Sequence, residues 1–461
     1  MSSDLFETIQ SEGLIKGNKA NSRKIKKLSK SQIIDFAMLT RELTLSKHMS
    51  REKTAYAFSS SLSLDGGSYP CSTLSCRLEK AKKLAQFAAL YNDKIYINYY
   101  PVDYLSHPEE INSSELERLQ LTLFNDLEVL AYLRPLIEAQ KIIPISHPKY
   151  CPHCLAIKSF GSDADQRFRN IFDGLVKRYS NEITVTLERL SDTYFLVAYG
   201  PEELLSHGAH VFMFKTGFPN MEKIPNVLSQ LEDGKEFTLS PSQVRKIKLD
   251  QGLATVVRNN LGFELASTQS INTNYLTDSS LDIDILRNLS GNPAIDERNQ
   301  IIQKHLTCLV PFVENADPED LLKIRQNEGD AFIIFRNSLN QVIDEYKERG
   351  NFFTENDARE IFGDMIEPKL AQLNTKVKAA QKSLIKNTVS KIAGWGAAIS
   401  FGWYAGLLPT DLATAATALG LTKIVAELTE SILSKSNTGD TIQDEPMYFL
   451  WKLREGLNTN S

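Results

Sequence analysis

The residues best suited to chemistry are two cysteine pairs in the first third of the chain. Cys151 and Cys154 stand in a Cys-Pro-His-Cys motif, where two thiolates separated by two residues can bind one metal ion. Cys71 and Cys76 form the other close pair. Because a structural zinc ion needs four ligands, we predict that both pairs share one zinc ion as a cofactor.

The Cys-Pro-His-Cys motif has three interpretations. It resembles the knuckle of zinc ribbons, with His147 or His153 able to replace one thiolate. It also resembles the redox motif of DsbA-type thiol oxidoreductases, which requires a strand before the motif and a helix after it. Residues 142–146 fit such a strand, but His-Pro-Lys at 147–149 interrupts it. In the third interpretation, Cys151 and Cys154 are small buried residues without a chemical role.

An acidic cluster and an arginine pair are the other candidate sites. Asp278, Asp282 and Asp284 lie within seven residues and can hold Mg²⁺ for a metal-dependent nuclease, or form the solvated face of a strand or helix start. Arg325 and Arg336 lie eleven residues apart, so they project from nearly the same face of one helix. Two guanidinium groups in line suit an anion or a partner carboxylate, whereas local salt bridges are the alternative.

Composition and charge narrow the class of protein. The 461 residues are 42% hydrophobic and 24% charged, with a net charge of -5, which excludes disordered, collagenous and disulfide-scaffold proteins. A pI near 5.9 argues against nucleic-acid binding over the whole surface. The basic run 19–30 can touch phosphate, but a solvated face is favoured. No secretory pattern and only five cysteines predict a cytoplasmic protein.

The elements that would position these residues predict an α+β fold. We expect a basic helical segment at 1–60, a mixed region with the cysteine pairs at 61–160, and an α+β region with a small sheet at 161–300. Apolar spacing predicts helices near 77–91 and 114–135, and alternation predicts strands within 183–199 and at 210–214. Ser240 and Pro241 mark the start of a helix that runs to residue 260. We see no regular strand–helix alternation that would require a doubly wound parallel sheet.

Residues 301–461 are predicted to form an all-helical bundle. Asp317-Pro318 begins a helix whose apolar residues recur three and four apart up to Gly350, and 366–384 repeats this spacing. An uncharged stretch covers 392–410, and we predict that 392–421 forms an apolar helical hairpin with glycine or alanine at every fourth position from 394 to 406. A buried hairpin is favoured over a partner interface and over membrane insertion, since the second arm is too short to span a bilayer.

Several short phrases resemble one group of sequences. These phrases are 275–278 (YLTD), 322–325 (LKIR), Phe335-Arg336 and the tail 444–453 (DEPMYFLWKL). They are similar to large uncharacterised bacterial proteins, some of which occur in mobile or phage-defence gene clusters. The resemblance implies a role in an antiviral system and transfers no catalytic residue.

From the sequence we therefore expect a binding or assembly component of a bacterial system, acting through helical surfaces on a protein partner or a second copy. The alternatives are an effector that perturbs membranes through 392–421, and an enzyme. The enzyme would be a thiol oxidoreductase at Cys151 and Cys154 or a metal-dependent nuclease at Asp278.

Overall fold

The computed structural model describes residues 2–45, 57–90, 92–102, 116–146, 164–202, 204–205, 208–271, 273–277, 279, 281–282, 285, 305–313, 318–327 and 399–407. The helices are α1 (Ser2–Ser11), α2 (Ser22–Ile25), α3 (Lys30–Leu43), α4 (Leu74–Leu90), α5 (Leu116–Glu138), α6 (Ala164–Glu182), α7 (Pro225–Leu228), α8 (Pro241–Ile247), α9 (Leu249–Ser270) and α10 (Pro318–Asn327). The strands are β1 (Ile15–Lys16), β2 (Lys19–Ala20), β3 (Ala57–Ser60), β4 (Lys94–Asn98), β5 (Ile142–Ile145), β6 (Thr184–Leu190), β7 (Thr193–Tyr199), β8 (Ala209–Lys215), β9 (Glu236–Leu239), β10 (Asn274–Thr277), β11 (His305–Val313) and β12 (Ile399–Leu407).

The chain folds into two compact units. The first contains Met1–Pro148, Ile271–Asp278 and Gln300–Ser461, and the second contains Lys149–Ser270 and Ser279–Asn299. In its described part, the first unit has a sheet of order β11-β12-β10-β3-β4-β5 and a small β1–β2 hairpin. Strands β10, β3, β4 and β5 are parallel, whereas β12 pairs antiparallel with both β10 and β11.

Two crossover helices build the parallel part of this sheet. Helix α4 connects β3 to β4, and α5 connects β4 to β5, so each connection is a β-α-β unit. The α5 leucines that recur three and four apart are buried from Leu119 to Leu130, in one core with Leu84 of α4 and Ile95 of β4, whereas Leu116 at the start of the helix is exposed. Helix α5 continues three residues past Pro135, beyond the predicted end, because a proline near a helix end removes only one hydrogen bond.

The second unit contains an antiparallel sheet of order β8-β7-β6-β9. The predicted turn at Ser191-Asp192 joins β6 to β7, and the predicted third strand is β8. Ser240 caps α8 and Pro241 occupies its first turn, as predicted. The expected single helix is divided into α8 and α9 because Lys248 adopts a left-handed conformation with φ 58°.

The fold is therefore mixed helix and strand with several sheets, consistent with the predicted α+β class. The parallel sheet was not expected and corrects the sequence interpretation. Strand β3 is only four residues long (AFSS) and lies at the end of the segment 1–60 that the sequence predicts to be helical. All four of its residues are buried, so neither period-2 alternation nor length distinguishes it from a loop.

The prediction that strands are absent beyond residue 300 is wrong. Strands β11 and β12 pair over nine residues each. The aromatic and β-branched residues of the ISFGWYAGL segment favour a strand, and a four-residue glycine spacing is compatible with both the helical and the strand period. Helix α10 begins at Pro318 as predicted, and the other predicted helical segments of 301–461 lie outside the described residues.

The predicted helical hairpin at 392–421 is wrong for 399–407, which form strand β12, and the rest of it lies outside the described residues. In the part of the chain that the structure describes, no helix has both the length and the apolar character needed to cross a bilayer.

Candidate functional site

The candidate site lies at the carboxyl ends of β10, β3 and β4 in the first unit. The chain moves from β3 to β4 to β5 in one direction across the sheet, while β10 pairs with the opposite side of β3. The strand order therefore reverses between β10 and β3. In open α/β sheets, ligands bind outside the carboxyl ends of the strands at such a switch point.

The loop that follows β3 is fixed at this point by its own hydrogen bonds. The backbone N–H of Ser61 donates to the carbonyl of Leu276 in β10 at 2.8 Å. The N–H groups of Leu64 and Asp65 both donate to the carbonyl of Ser61, each at 3.1 Å. These bonds form a tight turn that directs the next residues over the end of the sheet.

Gly66 allows this loop to pack tightly against both crossover helices. Its φ of +81° lies in the left-handed region that glycine adopts without steric cost. A Cβ atom at this position would lie 2.8 Å from Cγ1 of Val129 in α5 and 3.3 Å from Cβ of Ala81 in α4. The close approach holds the neighbouring Asp65 in one position.

Asp65 is a buried acid at this site with a raised pKa. Its side chain is fully buried, and Oδ1 accepts a hydrogen bond from the Gly67 N–H at 2.7 Å. Burial raises the pKa of Asp65 to about 7, although the Gly67 N–H, the Asn98 amide and two nearby cations act in the opposite direction. At neutral pH both protonation states are populated, so this carboxyl group can accept or donate a proton.

A buried ion pair contacts the loop that follows β3. Nη2 of Arg77 donates to Oδ1 of Asp126 at 2.6 Å, and the two side chains are 1% and 2% exposed. Arg77 also donates from Nε to the Gly66 carbonyl at 2.8 Å. The pair therefore links the β3 loop and α4 to α5, and Asp126 neutralises the arginine charge.

The segment after β4 carries backbone strain and an unpartnered hydroxyl. Val102, a β-branched residue, has a φ of 53° and donates its N–H to Oδ2 of Asp126 at 2.8 Å. The hydroxyl of Tyr100 is buried and has no hydrogen-bond partner among the described residues. The Tyr100 ring lies 5.3 Å from the Arg77 guanidinium, and burial raises the pKa of its hydroxyl well above the ordinary value. Strain and an unsatisfied polar group both concentrate at functional sites.

Cys71 and Cys76, the first pair of the predicted zinc site, are free and half-buried. Cys71 lies just before α4 and Cys76 lies in its first turn. Burial raises the pKa of Cys71, but hydrogen bonds from Thr73 and from the Cys76 thiol lower it more, so the net shift is downward. Burial and the neighbouring Cys71 raise the pKa of Cys76.

The other half of the predicted zinc site is the second cysteine pair. Cys151 and Cys154 lie outside the described residues. Within the ranges that are described, no group of three or more metal-ligating side chains occurs. The shared zinc ion therefore stays a prediction.

Arg325 contacts the end of α4. Its Nη1 donates to three backbone carbonyls, of Ala88 at 3.3 Å, Ala89 at 2.9 Å and Asn92 at 2.7 Å. A cationic side chain at these carbonyls satisfies the C-terminal end of a helix and holds α10 against α4. Arg336 lies outside the described residues, so the predicted anion contact of the two arginines stays a prediction.

The other sequence candidates are the acidic cluster and the basic run. Asp278 and Asp284 lie outside the described residues, and the Asp282 N–H donates to Ser279 Oγ at 3.2 Å. In the basic run 19–30, Gln120 of α5 donates to the carbonyls of Lys26 and Leu28. Most of the lysine side chains there are exposed, which is compatible with both a solvated face and a phosphate contact.

Sequence reasoning missed Asp65, Arg77, Tyr100 and Asp126. One signal was present for Asp126, which lies three residues after Leu123 and therefore on the apolar face of α5. A carboxylate on a buried face needs a partner, so its position indicated a buried cation.

Comparison of the chain with protein-family models, with curated proteins and with solved structures finds no match.

Proposed function

We propose that the chain binds a small polar molecule at the carboxyl ends of β10, β3 and β4, and that Asp65 releases a proton when the molecule binds. The observation that carries this proposal is a fully buried carboxyl group with a pKa of about 7 at this position. Burial without a full counter-charge destabilises an ionised acid, and such groups concentrate at binding and catalytic sites.

The surrounding backbone supports a site here. The strand order reverses between β10 and β3, and this geometry leaves a crevice at the strand ends in other open sheets. The left-handed conformation of Val102, one loop away, costs on the order of 1–3 kcal/mol. A strained residue held by a buried ion pair is typical of a segment positioned for function.

The hydrogen bonds of the loop indicate which chemistry the ligand has. The N–H groups of Leu64, Asp65 and Gly67 are used within the loop and do not form a phosphate cradle. The charge of Arg77 is neutralised by Asp126. The Asp65 carboxyl group and the Tyr100 hydroxyl favour a neutral or cationic ligand with hydroxyl or amine donors, such as a sugar or a nucleoside.

The proposal predicts a pH dependence. Ligand donors interact with the ionised form of Asp65, so binding lowers the pKa of this acid and releases a proton. Affinity is therefore expected to increase as the pH rises through about 7.

Isothermal titration calorimetry on the full chain tests this. Ribose, glucose and adenosine are the probes, and inorganic phosphate is the anionic comparison, each at pH 6 and pH 8. Asp65→Asn should abolish binding and its pH dependence, whereas Asp35→Asn, on the exposed face of α3, should change neither. Equal affinities for wild type and Asp65→Asn, or a preference for phosphate, would contradict the proposal.

A second candidate is the assembly role expected from the sequence, in a system of the kind encoded in phage-defence clusters. Strand β8 is the last strand of its sheet, and Val211 and Met213 are 60% and 63% exposed. Antiparallel pairing of β8 with a second copy, centred on Phe212, would place Val211 opposite Met213 and Lys215 opposite Ala209. No like charges would be opposed along the strand.

The solution mass tests this assembly. Met213→Glu should reduce a dimer to a monomer, whereas Val256→Glu, at another exposed apolar residue on α9, should not. A wild-type chain that is monomeric at all concentrations would contradict the second candidate.

The helical character of 301–461 outside the described residues also remains part of this proposal.

A further inference from the structure

The positive charge near the amino end of the first unit is concentrated in the segment 13–34. This segment contains no acidic residue and has a charge of +7, whereas the rest of the chain has a net charge of -12. We call its seven cationic residues the basic surface; they are Lys16, Lys19, Arg23, Lys24, Lys26, Lys27 and Lys30. A protein with this charge distribution attracts an anionic partner at one place and repels it elsewhere.

The basic surface belongs to a folded segment. The β1–β2 hairpin, helix α2 and the start of α3 follow one another here. Large apolar residues of the segment are buried in the core of the first unit; they are Leu14, Ile15, Ile25, Leu28 and Ile33. Their burial fixes the backbone that carries the cations, so the charges are held together on one part of the surface.

Helix α5 binds this segment through backbone atoms. Oε1 of Glu128 accepts a hydrogen bond from the Ala20 N–H at 2.9 Å. Nε2 of Gln120 donates to the carbonyls of Lys26 and Leu28 at 3.1 and 2.9 Å. These contacts hold the segment in place without using a lysine ammonium group.

Six of the seven cations are exposed and form no ion pair with a carboxylate of the described residues; they are Lys16, Lys19, Arg23, Lys24, Lys26 and Lys27. Lys16 lies directly opposite Lys19 in the β1–β2 hairpin. Like charges at opposed positions of two paired strands repel each other. An anion bound near both ammonium groups would relieve this repulsion.

We infer that the basic surface binds the phosphodiester backbone of a nucleic acid without reading its sequence. Lysine contacts phosphate as a point charge, and a chain of closely spaced phosphates contacts several of these cations at once. An anionic bilayer fits less well because the large apolar residues between the cations, Ile25 and Leu28, are buried. The segment therefore has no apolar face of its own to enter a headgroup layer.

This inference is independent of the proposed site at Asp65. That site takes a neutral or cationic small molecule, whereas the basic surface takes a polyanion. Asp65→Asn should therefore leave nucleic-acid binding unchanged, and the two proposals can fail separately.

Fluorescence anisotropy with the full chain tests the inference. The probe is a short fluorescein-labelled DNA duplex of mixed sequence, titrated at several salt concentrations between roughly 50 and 200 mM. Each neutralised phosphate contributes about -0.9 to the slope of log K against log salt concentration, so contacts by roughly four to six cations predict a slope of about -4 to -5. A second duplex of unrelated sequence should bind with the same affinity.

Two double variants locate the contact. Lys26→Gln/Lys27→Gln removes two charges from the basic surface, and it should reduce the magnitude of the slope by about 1.8 and weaken binding at least about tenfold. Lys82→Gln/Lys177→Gln removes the same charge at two exposed lysines outside the basic surface and should change neither. All four side chains are exposed, so both variants should fold as the wild type does.

The inference is overturned if the duplex does not bind at the lowest salt concentration. It is also overturned if the two double variants lose the same affinity, because the overall charge of the chain would then account for binding. Vesicles of phosphatidylserine and phosphatidylcholine are the membrane comparison. Binding to these vesicles without binding to the duplex would assign the basic surface to a bilayer and contradict the inference.

Discussion

Replacing Asp65 by asparagine is expected to stabilise the first unit above pH 7 and to have little effect near pH 4. Burial raises the pKa of Asp65 in the folded chain from 3.8 to about 7. Between these values the folded chain retains a proton that the unfolded chain has released, so the free energy of unfolding falls as the pH rises. Asparagine has a similar shape and stays neutral, so it removes this pH-dependent loss.

The magnitude follows from the size of the shift. A change in pKa from 3.8 to about 7 corresponds to about 4 kcal/mol. At pH 8 the buried, ionised Asp65 therefore lowers the free energy of unfolding by up to this amount. The asparagine variant does not recover all of this free energy. Its new amide N–H₂ group would face the Asn98 amide, whose nitrogen lies 3.4 Å from Oδ2 of Asp65 in the wild type. We therefore expect a net stabilisation of about 2–4 kcal/mol at pH 8.

Hydrogen exchange measures this effect in the first unit alone. Wild type and variant are compared at the same pH, at several values from 4 to 8, on peptides that cover β3 and β4. The difference in opening free energy should increase with pH and level off above about pH 7. Asp35→Asn is the control and should show no such increase. A variant that is less stable than wild type by the same amount at every pH would refute the reasoning, since Asp65 would then be a stably ionised partner of nearby cations.

Two other substitutions test the contacts that hold the site in place. For both, the free energy of unfolding is measured in urea. Asp126→Ala leaves the Arg77 charge buried without its partner, and we expect a loss of roughly 3–5 kcal/mol. Gly66→Ala places a Cβ atom 2.8 Å from Val129 at a φ of +81°, and we expect a loss of more than about 1 kcal/mol.

Each substitution has a matched control in the same protein. Glu138→Ala breaks an ion pair with Arg134 at the surface of the same helix as Asp126, and it should cost less than about 1 kcal/mol. Gly174 lies within α6 with no atom near its would-be Cβ, so Gly174→Ala should stabilise by roughly 0.5–1 kcal/mol. Equal effects of Asp126→Ala and Glu138→Ala would show that the buried pair has no special role. A stabilising Gly66→Ala would show that the loop tolerates a side chain.

The sequence predicts those elements whose signals are local. The leucine spacing of α5, the Ser191-Asp192 turn and the Ser240 cap each depend on residues within a few positions of one another, and all three appear in the structure. Strand β3 depends instead on pairing of Phe58 with Asn274 and Ile95, far away in the chain. No local pattern reports such pairing.

The candidate site could not be predicted from the sequence for the same reason. Asp65 stands in a stretch rich in serine and glycine that reads as an ordinary connector, and its pKa is raised by burial under distant elements. The cysteine motif at Cys151 was more conspicuous because metal-binding spacing is local. Site residues whose chemistry comes from their surroundings require the fold before they can be recognised.

The order of β10 in the chain has a consequence for protein synthesis. Strands β3, β4 and β5 leave the ribosome together, but β10 follows β5 by about 130 residues, after most of the second unit. At a translation rate of roughly 5–20 residues per second, the edge of β3 that pairs with β10 stays unpaired for on the order of ten seconds. During that interval the nascent chain presents an unpaired edge of a parallel sheet, and early folding of the inserted unit would shorten the distance that β10 must cover to close it.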